Sequence, residues 1–182
     1  KIELNENATL LSYQRMLLEN TNIIGAENAV CRVDYNTLSF LNSSANQCKI
    51  ENNYGKTSAV NTQFQNNTPL VIRFGNFAFD QCSFNASNIF SEHLKSLSRI
   101  TYSVFENNDV AFSDYSLVEV GMTNCSFNNN NKAAQKKGGV LTVRCSEFSQ
   151  NGTALEIGKG CVLNMSSSSA GGYNVFELND EH

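Results

Sequence analysis

Tryptophan is absent, proline occurs once, at Pro69, and histidine only twice, at His93 and His182. Charged residues make up 16% of the 182-residue chain, too few for a disordered acidic or basic tail. The net charge is −4, and the densest cationic stretch, Lys132 to Lys137, holds three lysines, which excludes a phosphate-neutralising nucleic-acid surface. No apolar run reaches the length of a membrane span. No two cysteines form CxxC, and with two histidines the usual zinc spacings are missing. The glycine pairs 138–139 and 171–172 lack the P-loop lysine and the dinucleotide spacing, so they read as turns. No cofactor and no metal is implied.

What is abundant is asparagine, 27 residues, alongside serine and threonine; 41% hydrophobic content supplies a core for one domain. Six cysteines, an even number without metal spacing, favour an oxidising compartment, with six buried core thiols as the alternative. Seven asparagines precede X-Ser/Thr: Asn7, Asn42, Asn66, Asn85, Asn124, Asn151 and Asn164. They are glycosylation candidates and, with the cysteines, suggest a secreted or cell-surface protein; the start at Lys1 fits either a removed signal peptide or trimmed ends.

Phenylalanine supplies a repeat. Phe64, Phe84, Phe105, Phe127 and Phe148 are spaced by 20, 21, 22 and 21 residues, with Phe40 before the series and Phe176 after it. Three residues after each stands Ser43, Asn67, Ser87, Asn108, Asn130, Asn151 or Asn179. Two residues before the phenylalanine, a small residue recurs: Thr62, Cys82, Ser103, Cys125 and Ser146. Short β-branched segments, such as 70–74, 117–120, 140–143 and 155–157, lie between these motifs. Such a period is that of a solenoid coil. The spacing therefore predicts an all-β, right-handed, single-stranded parallel β-helix of about seven coils. Stacked coils would place Phe64, Phe84, Phe105, Phe127, Phe148 and Phe176 in one core column. Asn67, Asn108, Asn130, Asn151 and Asn179 would form a second column at a turn, tolerating left-handed backbone and bonding amide to amide.

The F-x-x-N elements at 64–67, 105–108, 127–130, 148–151 and 176–179, with Gly138-Gly139-Val140-Leu141, resemble the repeats of the chlamydial polymorphic outer-membrane proteins. The likeness covers roughly residues 60 to 180. It implies a surface β-helix with adhesive use and carries over no catalytic residue.

The ends read differently. Residues 8–19 suit a short amphipathic helix, with Leu10, Tyr13, Leu17 and Leu18 on one face and Asn7 as cap. Residues 1–30 are thus expected to be a capping or assembly segment, and 31–182 the β-helix. Stacking of copies end to end into a fibre or surface layer is the expected use of the ends. Cys82 and Cys125 share a repeat position two coils apart, about 9.6 Å from the strand spacing, beyond disulfide reach. Cys31 with Cys48, and Cys145 with Cys161, lie near one coil length apart and are the disulfide candidates.

Function narrows to three expectations. The first is an architectural glycoprotein subunit whose partners are copies of itself. The second is an adhesin or glycan-binding module, for which polar flanks suit extended sugars and tyrosines could replace missing tryptophan. The third is a polysaccharide lyase or hydrolase. That last reading needs clustered carboxylates. The five aspartates (34, 80, 109, 114 and 180) are scattered, and Glu119 and Glu156 stand at different offsets from the repeat phenylalanine. Arg73, Arg144 and His93 read as surface residues, and no catalytic residue is assigned.

Overall fold

In the computed structural model, residues 1–66, 68–166 and 174–177 are described. They form short strands of three to five residues and no helix. Every third strand joins the same sheet, giving three parallel sheets of nine, eight and eight strands. The first face runs from Ile2–Leu4 to Val175–Glu177, the second from Thr9–Ser12 to Thr153–Ile157, and the third from Met16–Glu19 to Val162–Ser166. Each coil gives one strand to each face, so the chain is a parallel β-helix of about eight coils, one more than the phenylalanine spacing suggested.

The reason is local. Strands this short alternate one or two inward apolar residues with outward polar ones, and each ends at a corner. Nineteen non-glycine residues adopt positive φ among the described residues, nearly all at those corners, and nine of them are asparagine. Asparagine tolerates that region better than other side chains. The unusual composition is therefore a direct reading of how often the chain must turn.

The aromatic column forms as expected. Phe64, Phe84, Phe105, Phe127 and Phe148 are fully buried, and successive rings lie 4.9, 4.6, 4.6 and 4.8 Å apart and nearly parallel. Phe176 pairs in register with Phe148. Earlier coils fill the slot with Ala45 and Ile23. Phe40 does not belong to it: it sits on the third face and meets Phe64 edge-on across the core.

The asparagine column is real, but its backbone role belongs to a neighbour. Asn130 donates its amide hydrogens to Phe105 O (3.1 Å) and Asn151 Oδ1 (2.9 Å). Its Oδ1 accepts from the backbone N and the Nδ2 of Asn108, at 3.0 and 2.8 Å. All four amide valences are thus used inside the core. The left-handed residue is the one before each rung: Ala86, Asn107, Asn129 and Gln150. In the coil of Phe64 the rung is Thr68, whose N–H donates to Ser87 Oγ; the expected Asn67 lies outside the described residues, as does Asn179.

Residues 8–19 are corrected from helix to two strands, Thr9–Ser12 and Met16–Glu19. Leu10, Met16 and Leu18 point inward at period two, and Leu11 and Leu17 point out. Ser12 breaks any helical run by closing a turn on Gln14: its hydroxyl donates to Gln14 O and accepts from Gln14 N. The strands of residues 1–30 join the three sheets as their first coils. The strand expected over 117–120 begins later, at Glu119, and Leu117 is 85% exposed.

No disulfide is present among the described residues, which corrects the pairings Cys31–Cys48 and Cys145–Cys161. Cys31 Sγ instead lies 3.8 Å from Met16 Sδ. Cys82 and Cys125 hold a buried corner slot that Ser103 and Ser146 occupy in alternate coils. Their backbone N–H groups donate to those serine hydroxyls at 3.1 Å, and their thiols face Ala59 O and Ile100 O. Burial pushes the Cys31 and Cys82 thiols up to about 12 and those of Cys48 and Cys125 to about 11.

Candidate ligand groove on the third face

The outward residues of the three faces differ in how far their valences are used. On the second face the charges neutralise one another: Arg32 pairs with Asp34, Arg73 with Glu92, and Lys49 with Glu51. In later coils Lys132 and Lys137 both bond Glu156, and those contacts, Lys132 first, hold its carboxyl down at about 2 against an ordinary 4.5. At the following corner Tyr35, Tyr54, Phe74 and His93 stack face to face at 4.9, 4.7 and 5.0 Å. Each ring in the middle of this ridge has both faces covered by its neighbours. Tyr54 is thereby closed on both faces to a sugar ring.

The last carboxylate–amine pair is inside. Lys136 and Asp114 are fully buried side by side between the second and third faces. The ammonium donates to Asp114 Oδ2, Ser116 O (2.9 Å) and Val118 O (3.0 Å). Asp114 Oδ1 accepts from Ser91 Oγ (2.9 Å) and Ser116 N (3.1 Å). Every donor and acceptor is served, so the pair is built to stay closed and offers nothing to a ligand.

The third face is different. One outward row begins with small residues, Ser39, Ser58 and Ala78, and continues through Arg99, Gly121 and Thr142. Gly121 lies inside the strand Glu119–Thr123 with no positive φ, and a Cβ built there would meet nothing within 4 Å. Other glycines have evident reasons: at Gly55 a Cβ would fall 1.7 Å from Asn36 O, and at Gly75 1.9 Å from Gly55 O. Neither packing nor backbone demands glycine at 121, although a strand interior disfavours it. What its missing side chain leaves is space.

That space is a groove of about 540 Å³. Arg99 and Tyr102 border it in the preceding coil and Arg144 in the following one; Thr101 and Thr123 line its side. Glu119 stands at one end, its Oε1 accepting from Thr142 Oγ1 at 2.8 Å. Asp80, one coil away, accepts from Thr101 Oγ1 at 2.6 Å. Arg99 and Arg144 are exposed, and their guanidinium groups form no ion pair or hydrogen bond among the described residues.

The sequence motifs meet this site only partly. Arg144, read as an isolated surface residue, is in it; Arg99, Gly121 and Tyr102 were not singled out. They were nonetheless within reach, because Arg99, Gly121 and Thr142 each stand six residues before Phe105, Phe127 and Phe148. Asp114 and Lys136 were equally traceable, nine residues after Phe105 and Phe127. Glu119 and Glu156 lie on different faces, and His93 is in the aromatic ridge. Of the sequons, Asn7, Asn42, Asn66, Asn124 and Asn164 are exposed and Asn85 is half-buried. Asn151 is corrected: it is fully buried and donates to Phe127 O at 3.0 Å, leaving no room for a sugar. No group of three metal-ligating side chains occurs among the described residues, nor any helix long and apolar enough to cross a membrane. No family model, no curated protein and no solved structure matches the chain.

Proposed function

We propose that this β-helix is a non-catalytic adhesive module, secreted or displayed at a cell surface, that holds an extended polysaccharide against its third face. The observation that carries this reading is Gly121: a glycine that the fold does not require, at the floor of a groove walled by two arginines, a tyrosine and threonine hydroxyls. Sugar sites combine an apolar or aromatic wall with a few fixed polar groups, and a glycine in a strand marks close approach of something else. Acid–base cleavage would need two facing groups. Among its described lining the groove supplies Glu119 alone, already bonded by Thr142, which favours holding over cutting.

The test is affinity electrophoresis in gels containing soluble polysaccharides, comparing the parent with Gly121→Gln. The glutamine has open space for its Cβ, so folding is unaffected while the groove fills. Retardation of the parent by at least one polymer, and its loss in the variant, is the expected result. Equal retardation of both proteins would remove the groove from the binding role.

A further inference from the structure

We infer that the groove selects an acidic polysaccharide, one carrying carboxylate or sulfate groups; this rests on the binding role proposed above. Arg99 and Arg144 stand on either side of Gly121, one in the coil before it and one in the coil after. Strand spacing puts them two rungs apart, roughly 10 Å along the stack. That separation is too wide for one small anion to bridge and suits charges repeated along a polymer.

What sets the two apart from the cations of the second face is that their valences are unused. The cations of the second face are bonded to carboxylates, as Arg32 is to Asp34, Arg73 to Glu92 and Lys132 to Glu156. At the groove the situation is inverted. The one carboxylate of its lining, Glu119, is served by the Thr142 hydroxyl, and Asp80 one coil away by that of Thr101. The guanidiniums, with five N–H donors each, have no partner among the described residues. The groove thus presents donors in excess of acceptors. A neutral sugar's hydroxyls can accept from the guanidiniums, but they bring a donor with every hydroxyl and no charge to neutralise the two cations. A carboxylate or sulfate brings acceptors alone, in the geometry a guanidinium bonds bidentately.

The experiment measures binding of polygalacturonate, chondroitin sulfate and neutral dextran to four proteins: the parent, Arg99→Ala, Arg144→Ala and the double variant Arg15→Ala/Lys159→Ala. Arg15 and Lys159 are exposed cations away from the groove, so the last variant controls for bulk charge. One or both acidic polymers should bind and dextran should not. Each groove variant should weaken binding about tenfold, the charge control should not, and affinity should fall as salt rises. Dextran bound as tightly as the acidic polymers, and still blocked by Gly121→Gln, would overturn the acidic selectivity and leave the binding role standing. Equal weakening by the charge control would overturn it as well, since attraction would then be diffuse. If none of the three polymers is retained, the binding role fails and the selectivity with it.

Discussion

Asn130 shows how little slack a side chain has inside this core: one amide group makes four hydrogen bonds across three coils. Replacing it with leucine keeps the volume but strands Phe105 O and the Asn108 backbone N–H. Buried groups left so cost about 1–3 kcal/mol each, and urea unfolding of Asn130→Leu should show a loss of that order or more. Lys136 is a harsher case. Lys136→Met leaves the Asp114 carboxylate buried beside Ser91 and Ser116 without its counter-ion, and breaking such a pair costs about 3–5 kcal/mol. A smaller effect than 1 kcal/mol in the same assay would show that water reaches Asp114. The cysteines behave as hydroxyl substitutes at the corner slot. Cys82→Ser and Cys125→Ser should therefore be close to neutral, and in the folded parent Cys31, Cys48, Cys82 and Cys125 should resist thiol reagents at neutral pH until the chain is unfolded.

At the scale of a strand, Gly121 and Glu156 carry the informative tests. An alanine in place of glycine within a strand gains about 0.5–1 kcal/mol, and the open space at Gly121 means no clash offsets that gain. Gly121→Ala should therefore raise the melting temperature while lowering affinity for the polymer, a trade that a structural glycine would not show. Glu156 links two lysines across adjacent strands of the second face, and its folded-state carboxyl is held at about 2, below the ordinary 4.5. A depressed carboxyl contributes stability that is present above 4.5 and lost as pH falls toward 2. The urea midpoints of the parent and Glu156→Gln should accordingly differ at neutral pH and converge across that window. A constant difference at all pH values would mean that the lysine contacts do not form in solution.

For the whole molecule, each coil touches only its neighbours, so local damage should spread along the stack and not across a separate core. Stacked strands leave an unpaired edge at each end of any β-helix, which is the physical ground for the self-association expected from the repeat. Sedimentation velocity over a range of concentrations reads it: a monomer whose behaviour is independent of concentration would remove the fibre or layer from consideration. Passage through a secretory host gives an independent check on placement. Peptide mapping should find sugar among the exposed sequons and none at Asn151.

Periodicity alone was enough to specify the winding of this chain, since equal spacing of Phe64, Phe84, Phe105, Phe127 and Phe148 has few solutions other than stacked coils. It also placed the buried amide rungs, because position relative to the phenylalanine is position in the cross-section. It misread residues 8–19, where leucines at helical spacing also satisfy period two around a corner. Reading Cys31 and Cys48 as a bridge failed because spacing near one coil says nothing of which way two side chains point. Whether a charge is spent or available was decided only in three dimensions. Lys136 and Arg144 are alike as letters, yet one is enclosed with Asp114 and the other stands unpaired beside an empty glycine, because partners across coils are set by register and corner geometry together.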